Sequence, residues 1–152
     1  MQTRRELLSH SVKVAGLLVA AGLLPAAAQA AWNEAAFSAK SLADVVKALG
    51  GGAPVESKDV TITGPDIAEN GAVVPVGASS SAVGVKRLLL LVEKNPNTLA
   101  AAFDLTDSVE PNVSARVKMG QSSNVYAVAM LADGRVLYAG KEIKVTLGGC
   151  GG

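Results

Sequence analysis

From Asp59 onward the chain alternates polar and apolar residues in short runs, and that period of two limits the fold more than any other feature. Val60 and Ile62 alternate with Asp59, Thr61 and Thr63. Val113, Ala115, Val117 and Met119 alternate with Ser114, Arg116 and Lys118, and Ile143, Val145 and Leu147 with Glu142, Lys144 and Thr146. Such a run places its apolar set on one face of a strand, so each strand offers one face to a core and the other to water. Turn residues separate the runs: Asn70-Gly71, Asn95-Pro96-Asn97, Glu110-Pro111-Asn112, Gly120 to Asn124, and Asp133-Gly134. Asp133 and Gly134 both tolerate positive φ, so they predict a hairpin joining Val125–Leu131 to Arg135–Tyr138. About seven short strands at this spacing, with no helix between them, predict an all-β fold, an antiparallel β-sandwich of immunoglobulin-like size. The same absence of intervening helices argues against a parallel α/β sheet.

A short helical segment precedes the strands. Ser41-Leu42-Ala43-Asp44 has the form of a capping box, and Leu42, Val45, Val46 and Leu49 fall on one helical face. Gly50-Gly51-Gly52 then stops the helix, and Trp32 and Phe37 belong to a preceding turn of helix. Two strands, Leu88–Val92 and Val125–Leu131, are apolar on both faces. Either the N-terminal helix packs on one of them, or a partner chain covers the exposed apolar surface.

The first thirty residues read as an export signal. Arg4 and Arg5 are followed by Leu7-Leu8, a mildly hydrophobic stretch from Val14 to Leu24, Pro25 and an Ala-x-Ala exit ending at Ala30. The apolar stretch is shorter than the about 20 residues a membrane span needs, and the paired arginines predict a twin-arginine signal, residues 1–30, cleaved after Ala30. Residues 31–147 are then the helix-plus-sandwich domain and residues 148–152 a C-terminal arm. Removal of the signal takes the only histidine, His10, and leaves 11 Lys+Arg against 12 Asp+Glu, a net charge of −1. That charge gives no electrostatic footprint for nucleic acid or for an anionic membrane.

The chemistry left to the exported chain is narrow. Without histidine it has no Ser-His or Cys-His nucleophile pair and no imidazole metal site, and a single cysteine makes neither a thiolate cage nor a redox pair. The carboxylates Asp66, Glu69, Asp104, Asp107 and Glu110 are scattered near turns and show no catalytic spacing. One reactive group remains, Cys150, set between Gly148-Gly149 and Gly151-Gly152. Glycine has no side chain to dock and samples both signs of φ, so the pentapeptide predicts a flexible arm carrying an exposed thiol. Three residues past the last strand, the thiol reaches about 10 Å from the body. No cation or helix terminus adjoins it in the sequence, so it keeps the weak acidity of a free thiol, with only a few per cent as thiolate at neutral pH. An arm of this kind reads as an attachment point activated inside the enzymes it visits. The competing readings are an exported structural protein that dimerises through a Cys150 disulfide and a small hydrolase that works through its carboxylates.

A twin-arginine type signal, a small β-rich domain and a terminal Gly-Gly-Cys-Gly-Gly together resemble the SoxY family, the sulfur carriers of periplasmic thiosulfate oxidation. The resemblance covers the whole chain. It implies an immunoglobulin-like fold and a periplasmic carrier subunit that is not itself an enzyme. It implies no cofactor and no metal, with sulfur intermediates bound covalently to Cys150. It also implies a heterodimer with SoxZ and transient encounters with SoxAX, SoxB and, where present, SoxCD. Gly148, Gly149, Gly151 and Gly152 would let the arm enter those active sites.

Overall fold

The computed structural model describes residues 33–148. The described residues begin with two short helices, α1 (Glu34–Ser38) and α2 (Leu42–Ala48). Nine strands follow: β1 (Pro54–Glu56), β2 (Val60–Thr63), β3 (Ile67–Asn70), β4 (Val74–Ser80), β5 (Val85–Val92), β6 (Leu99–Asp104), β7 (Asn112–Val117), β8 (Ser123–Leu131) and β9 (Val136–Leu147). The larger sheet has the order β1-β9-β8-β5-β6, with β3 added to the far half of β9, and the smaller sheet has the order β2-β4-β7. Among the described residues no helix is long and apolar enough to cross a membrane.

Parity decides what each face of the large sheet meets. Leu88, Leu90 and Val92 of β5, with Val125, Ala127 and Ala129 of β8, face the small sheet and join Val74, Val76, Ala78 and Val117 in the sandwich core. Leu89, Leu91 and Val128 point the other way and pack against Ala36, Val45 and Val46 of the two helices. All three sheet residues and all three helix residues are fully buried. The helix layer therefore covers both of the strands that are apolar on two faces, where the sequence predicted cover for one. The double apolarity is satisfied inside the chain, and these strands give no reason of their own for a partner.

Local chemistry accounts for the helix ends. Asn33 caps α1 by accepting from the amide of Ala36 at 3.0 Å, and Ser41 Oγ caps α2 by accepting from the amide of Asp44 at 3.1 Å. Asn33 Nδ2 also donates to the carbonyl of Ala48 at 3.0 Å and ties the two helices together. At the far end of α2 the amides of Gly50 and Gly51 donate to Lys47 and Val46. This double closure requires the positive φ of +81° that Gly50 adopts. Trp32 and the signal residues lie outside the described residues.

Two departures from the sequence expectation concern β9. It is a single strand of 12 residues, where the alternation gave two separate runs. Gly140 lies between those runs without breaking the strand. A Cβ there would come within 2.9 Å of the Tyr126 ring on β8, so glycine lets the ring lie across the strand. Second, β1 and β3 pair with β9 in parallel, whereas the other ladders are antiparallel. β1 has only 3 residues, and the 4 residues of β3, Ile67-Ala68-Glu69-Asn70, do not alternate. They cover the edge of β9 that β8 leaves free. The Asp133-Gly134 hairpin forms as expected, with Leu131 and Arg135 paired through a 2.9 Å bond.

Candidate functional site: the root of the cysteine arm

Gly148 follows directly on β9 and is half-buried, whereas Gly149, Cys150, Gly151, Gly152, Arg4 and Arg5 lie outside the described residues. The structure therefore gives the root of the arm rather than its tip, and the root is held on both edges. Along Lys144–Leu147 the partner is β3, in the register Ile67↔Lys144, Ala68↔Val145 and Asn70↔Leu147. The last carbonyl of the strand, on Leu147, accepts from the amide of Gly71 at 2.8 Å, and Gly71 in turn accepts from the amide of Met119 at 2.7 Å. Asn70 Oδ1 accepts from the amide of Ala72 at 2.9 Å, so the Asn70-Gly71 turn is itself fixed. Thr146 Oγ1 donates to the carbonyl of Glu69 at 3.1 Å.

On the opposite edge β8 begins only at Ser123, so β9 outruns its backbone partner. Ser122 extends the ladder with its side chain: Oγ accepts from the amide of Val145 at 2.9 Å. Further back, Lys141 Nζ donates to the carbonyl of Gly64 at 2.7 Å and pairs with Asp66 Oδ1 at 2.8 Å. The hydrogen bond and charge of Lys141 hold the Asp66 carboxyl below the usual carboxylate range. Sequence reasoning found the Asn70-Gly71 turn but neither β3 nor Ser122 as supports. The β3 segment Ile67-Ala68-Glu69-Asn70 does not alternate, and no local pattern marks a serine hydroxyl that stands in for a strand.

The surface beside the root is partly apolar. Leu147 is 68% exposed and Val73 54% exposed, and the amide of Val73 reaches the carbonyl of Asn70 at 3.5 Å. Other features of the sequence are placed elsewhere. Asp104 pairs with Arg87 and Asp107 with Lys86, while Glu69 and Glu110 are exposed. The turn carboxylates are thus solvated or matched to cations, as their scatter predicted. Among the described residues no group of three or more His, Cys, Asp and Glu side chains could hold a metal ion. Tyr126 and Tyr138 meet edge to face, with centroids 6.0 Å apart, on the helix side of the large sheet. Tyr138 stands ten residues before Gly148 on an extended strand, about 33 Å away, so this aromatic pair is outside the reach of the arm.

A family model described as "Sulfur oxidation protein SoxY" matches residues 45–150. Among solved structures, the chain is similar to the sulfur carrier protein SoxY from Chlorobium limicola f thiosulfatophilum at 32% identity and a TM-score of 0.61, covering 68% of this chain and 93% of that one. It is also similar to a superoxide reductase (neelaredoxin) from Ignicoccus hospitalis, at 21% identity and a TM-score of 0.51, covering 57% of this chain and 79% of that one. That second likeness shows the fold alone. No curated protein sequence matches.

Proposed function

The chain belongs to the SoxY family of sulfur-oxidation proteins, and from that premise we propose that it carries sulfur intermediates covalently on Cys150 during thiosulfate oxidation. What supports the reading most directly is that the family match runs through residue 150, while β9 leads to the cysteine from a root hydrogen-bonded on both edges. A carrier needs a fixed root and an unencumbered tip. Here the tip consists of glycine around one thiol.

The division of labour follows from the chemistry. Coupling the thiol to the sulfane sulfur of thiosulfate forms one S–S bond, releases the thiol proton and passes two electrons to an oxidising partner, the haem enzyme SoxAX. Water then cleaves the bond from that sulfur to the sulfonate group under the hydrolase SoxB, releasing sulfate and leaving a persulfide on Cys150. Where SoxCD is present, it oxidises the remaining sulfur. The carrier contributes the thiol and its presentation, and the partners contribute activation, because a thiol among glycines is only slightly ionised at neutral pH. Gly148, Gly149, Gly151 and Gly152 leave the arm narrow enough to enter each active site. The chain works in the periplasm as a heterodimer with SoxZ, after export on the twin-arginine signal of Arg4 and Arg5 and cleavage after Ala30.

Intact-mass measurement of the protein purified from thiosulfate-grown cells tests the reading. Sulfur adducts on Cys150 are expected, together with loss of thiosulfate oxidation in Cys150→Ser despite unchanged folding. A spectrum containing only a disulfide dimer would favour a structural role instead. Full thiosulfate oxidation by Cys150→Ser would end the carrier reading.

A further inference from the structure

The helices leave part of the outer face of the large sheet open, and Asn124, Gly140 and Glu142 are exposed there. At the border, Lys40 and Leu42 around the start of α2, Pro54 of β1, Glu93, Tyr126 and Tyr138 line a cleft of about 330 Å³. The two rings stand at 75° with centroids 6.0 Å apart, so they form a corner. Packing accounts for Tyr126, whose ring covers Gly140, but not for the charges gathered around the corner. Oε2 of Glu93 accepts from Asn124 Nδ2 at 2.9 Å, which holds that carboxylate in place. Register sets Glu142 opposite Asn124 and Glu56 opposite Tyr138, so both share this face of the sheet, and both are exposed. Lys40 is the cation lining the cleft, and its ammonium is already bonded to the Pro96 carbonyl. Lys144 stands further along β9, about 13 Å from Gly140. Burial, and after it the Glu93 carboxylate, push the Tyr126 phenol above its usual pKa, so the negative charge is felt at the ring.

Aromatic faces beside a carboxylate favour a cation, because the ring quadrupole and the charge attract it together. A planar guanidinium suits the corner better than an ammonium: it lies flat on one ring while its N–H groups reach the carboxylate. Both rings are half-buried rather than enclosed, so a small free cation gains little here, whereas a side chain fixed on another protein loses less freedom on entering. Position selects among the proteins this carrier meets. Tyr138 is about 33 Å from Gly148 along β9, and an enzyme working at the thiol has no need of a contact so far back. A permanent subunit, by contrast, must leave the end of β9 clear. We propose that Tyr126, Tyr138 and Glu93 form a socket for an arginine side chain of the permanent partner subunit. This inference rests on the reading of the chain as one half of a heterodimeric carrier.

The test measures the Kd between the full exported chain and its natural partner subunit by calorimetry, with Glu93→Gln, Tyr138→Ala and, as control, Glu110→Gln, an exposed carboxylate in the loop between β6 and β7. Glu93→Gln and Tyr138→Ala are each expected to weaken the complex about tenfold, and Glu110→Gln to leave it within about twofold. Circular dichroism and the melting temperature verify folding, and Glu93→Gln, which keeps the shape of the side chain, decides the matter even where Tyr138→Ala fails to fold. The second measurement follows the free chain by NMR with the N-acetyl methylamides of arginine and of citrulline, its uncharged counterpart. The arginine probe should shift Gly140, Tyr126 and Tyr138 with a Kd on the order of 10 mM, the citrulline probe should not, and the partner subunit should displace the first. A complex indifferent to Glu93→Gln, an equal loss in Glu110→Gln, citrulline binding as well as arginine, or a probe that stays bound in the complex would each overturn the socket. Failures of the underlying reading are separate: an unaltered chain that forms no complex ends the heterodimer, and Cys150→Ser that still supports thiosulfate oxidation ends the carrier.

Discussion

Leu89→Ala tests whether the helix layer, rather than another chain, completes the large sheet. Leu89 is fully buried, and its neighbours on that face include Val45 and Val46 of α2 and Leu91 and Val128 of the sheet. Truncation removes three carbons, about 2.4 kcal/mol at roughly 0.8 kcal/mol for each buried methylene. The cavity left among these fixed neighbours adds to that, giving about 3 kcal/mol in all. For a domain of this size 1 kcal/mol moves Tm by about 4 °C, so the melting temperature should fall by roughly 12 °C. The assay is thermal or urea unfolding of the purified chain without any partner. An equal loss should follow Val46→Ala scaled to its two methyls, about 1.5–2 kcal/mol, because the two side chains share one cluster. If Leu89→Ala costs the isolated chain less than about 1 kcal/mol, and the cost emerges only in a complex, the helices do not seal this face and the argument is wrong.

Gly140→Val should destabilise the domain by about 1–3 kcal/mol, because its Cβ would stand 2.9 Å from the Tyr126 ring. Combining it with Tyr126→Ala should recover part of that loss in a double-mutant cycle, and additive losses would refute the ring-on-glycine contact. Lys141 lowers the Asp66 pKa, so the pair contributes stability above the unfolded-state pKa of Asp66 and loses it as pH falls through the lower folded value. The Tm difference between the unaltered chain and Asp66→Asn should therefore shrink on acidification, and a difference that grew would reverse the assignment. Ser122→Ala should leave the sandwich folded and speed amide exchange at Val145, whose N–H rests on that hydroxyl. Unchanged exchange there would show that the side chain does not extend the ladder.

What the sequence disclosed divides along the range of the interactions. The Asp133-Gly134 hairpin, the Ser41 cap and the glycine stop after α2 depend on residues within a few positions of each other, and all were legible. The double apolarity of Leu88–Val92 and Val125–Leu131 signalled that something lay over the second face. It could not name the cover, because Leu89 and Val128 meet Val45 and Val46 only once the whole sheet is assembled. Gly140 shows the same limit. Read locally it separates two runs, yet the ring that lies across it comes from a different strand.

The site shows the same division within a few residues. Cys150 stands out in the sequence because its surroundings are covalent neighbours, four glycines, and need no tertiary structure to be recognised. Its root depends on Asn70-Gly71, Met119 and Ser122, between 23 and 77 residues before the strand end they secure, and nothing in the local pattern announces them. A carrier has to join these two kinds of construction at one point. The β9 ladder must stay closed to its last residue, so that the arm starts from a known place, and beyond it the chain must offer nothing that packs. Gly148 marks that junction. Moving it one residue earlier would leave Leu147 outside its bond to Gly71 and turn a fixed root into more arm, extending reach at the cost of the close approach that brings the domain surface against its partners.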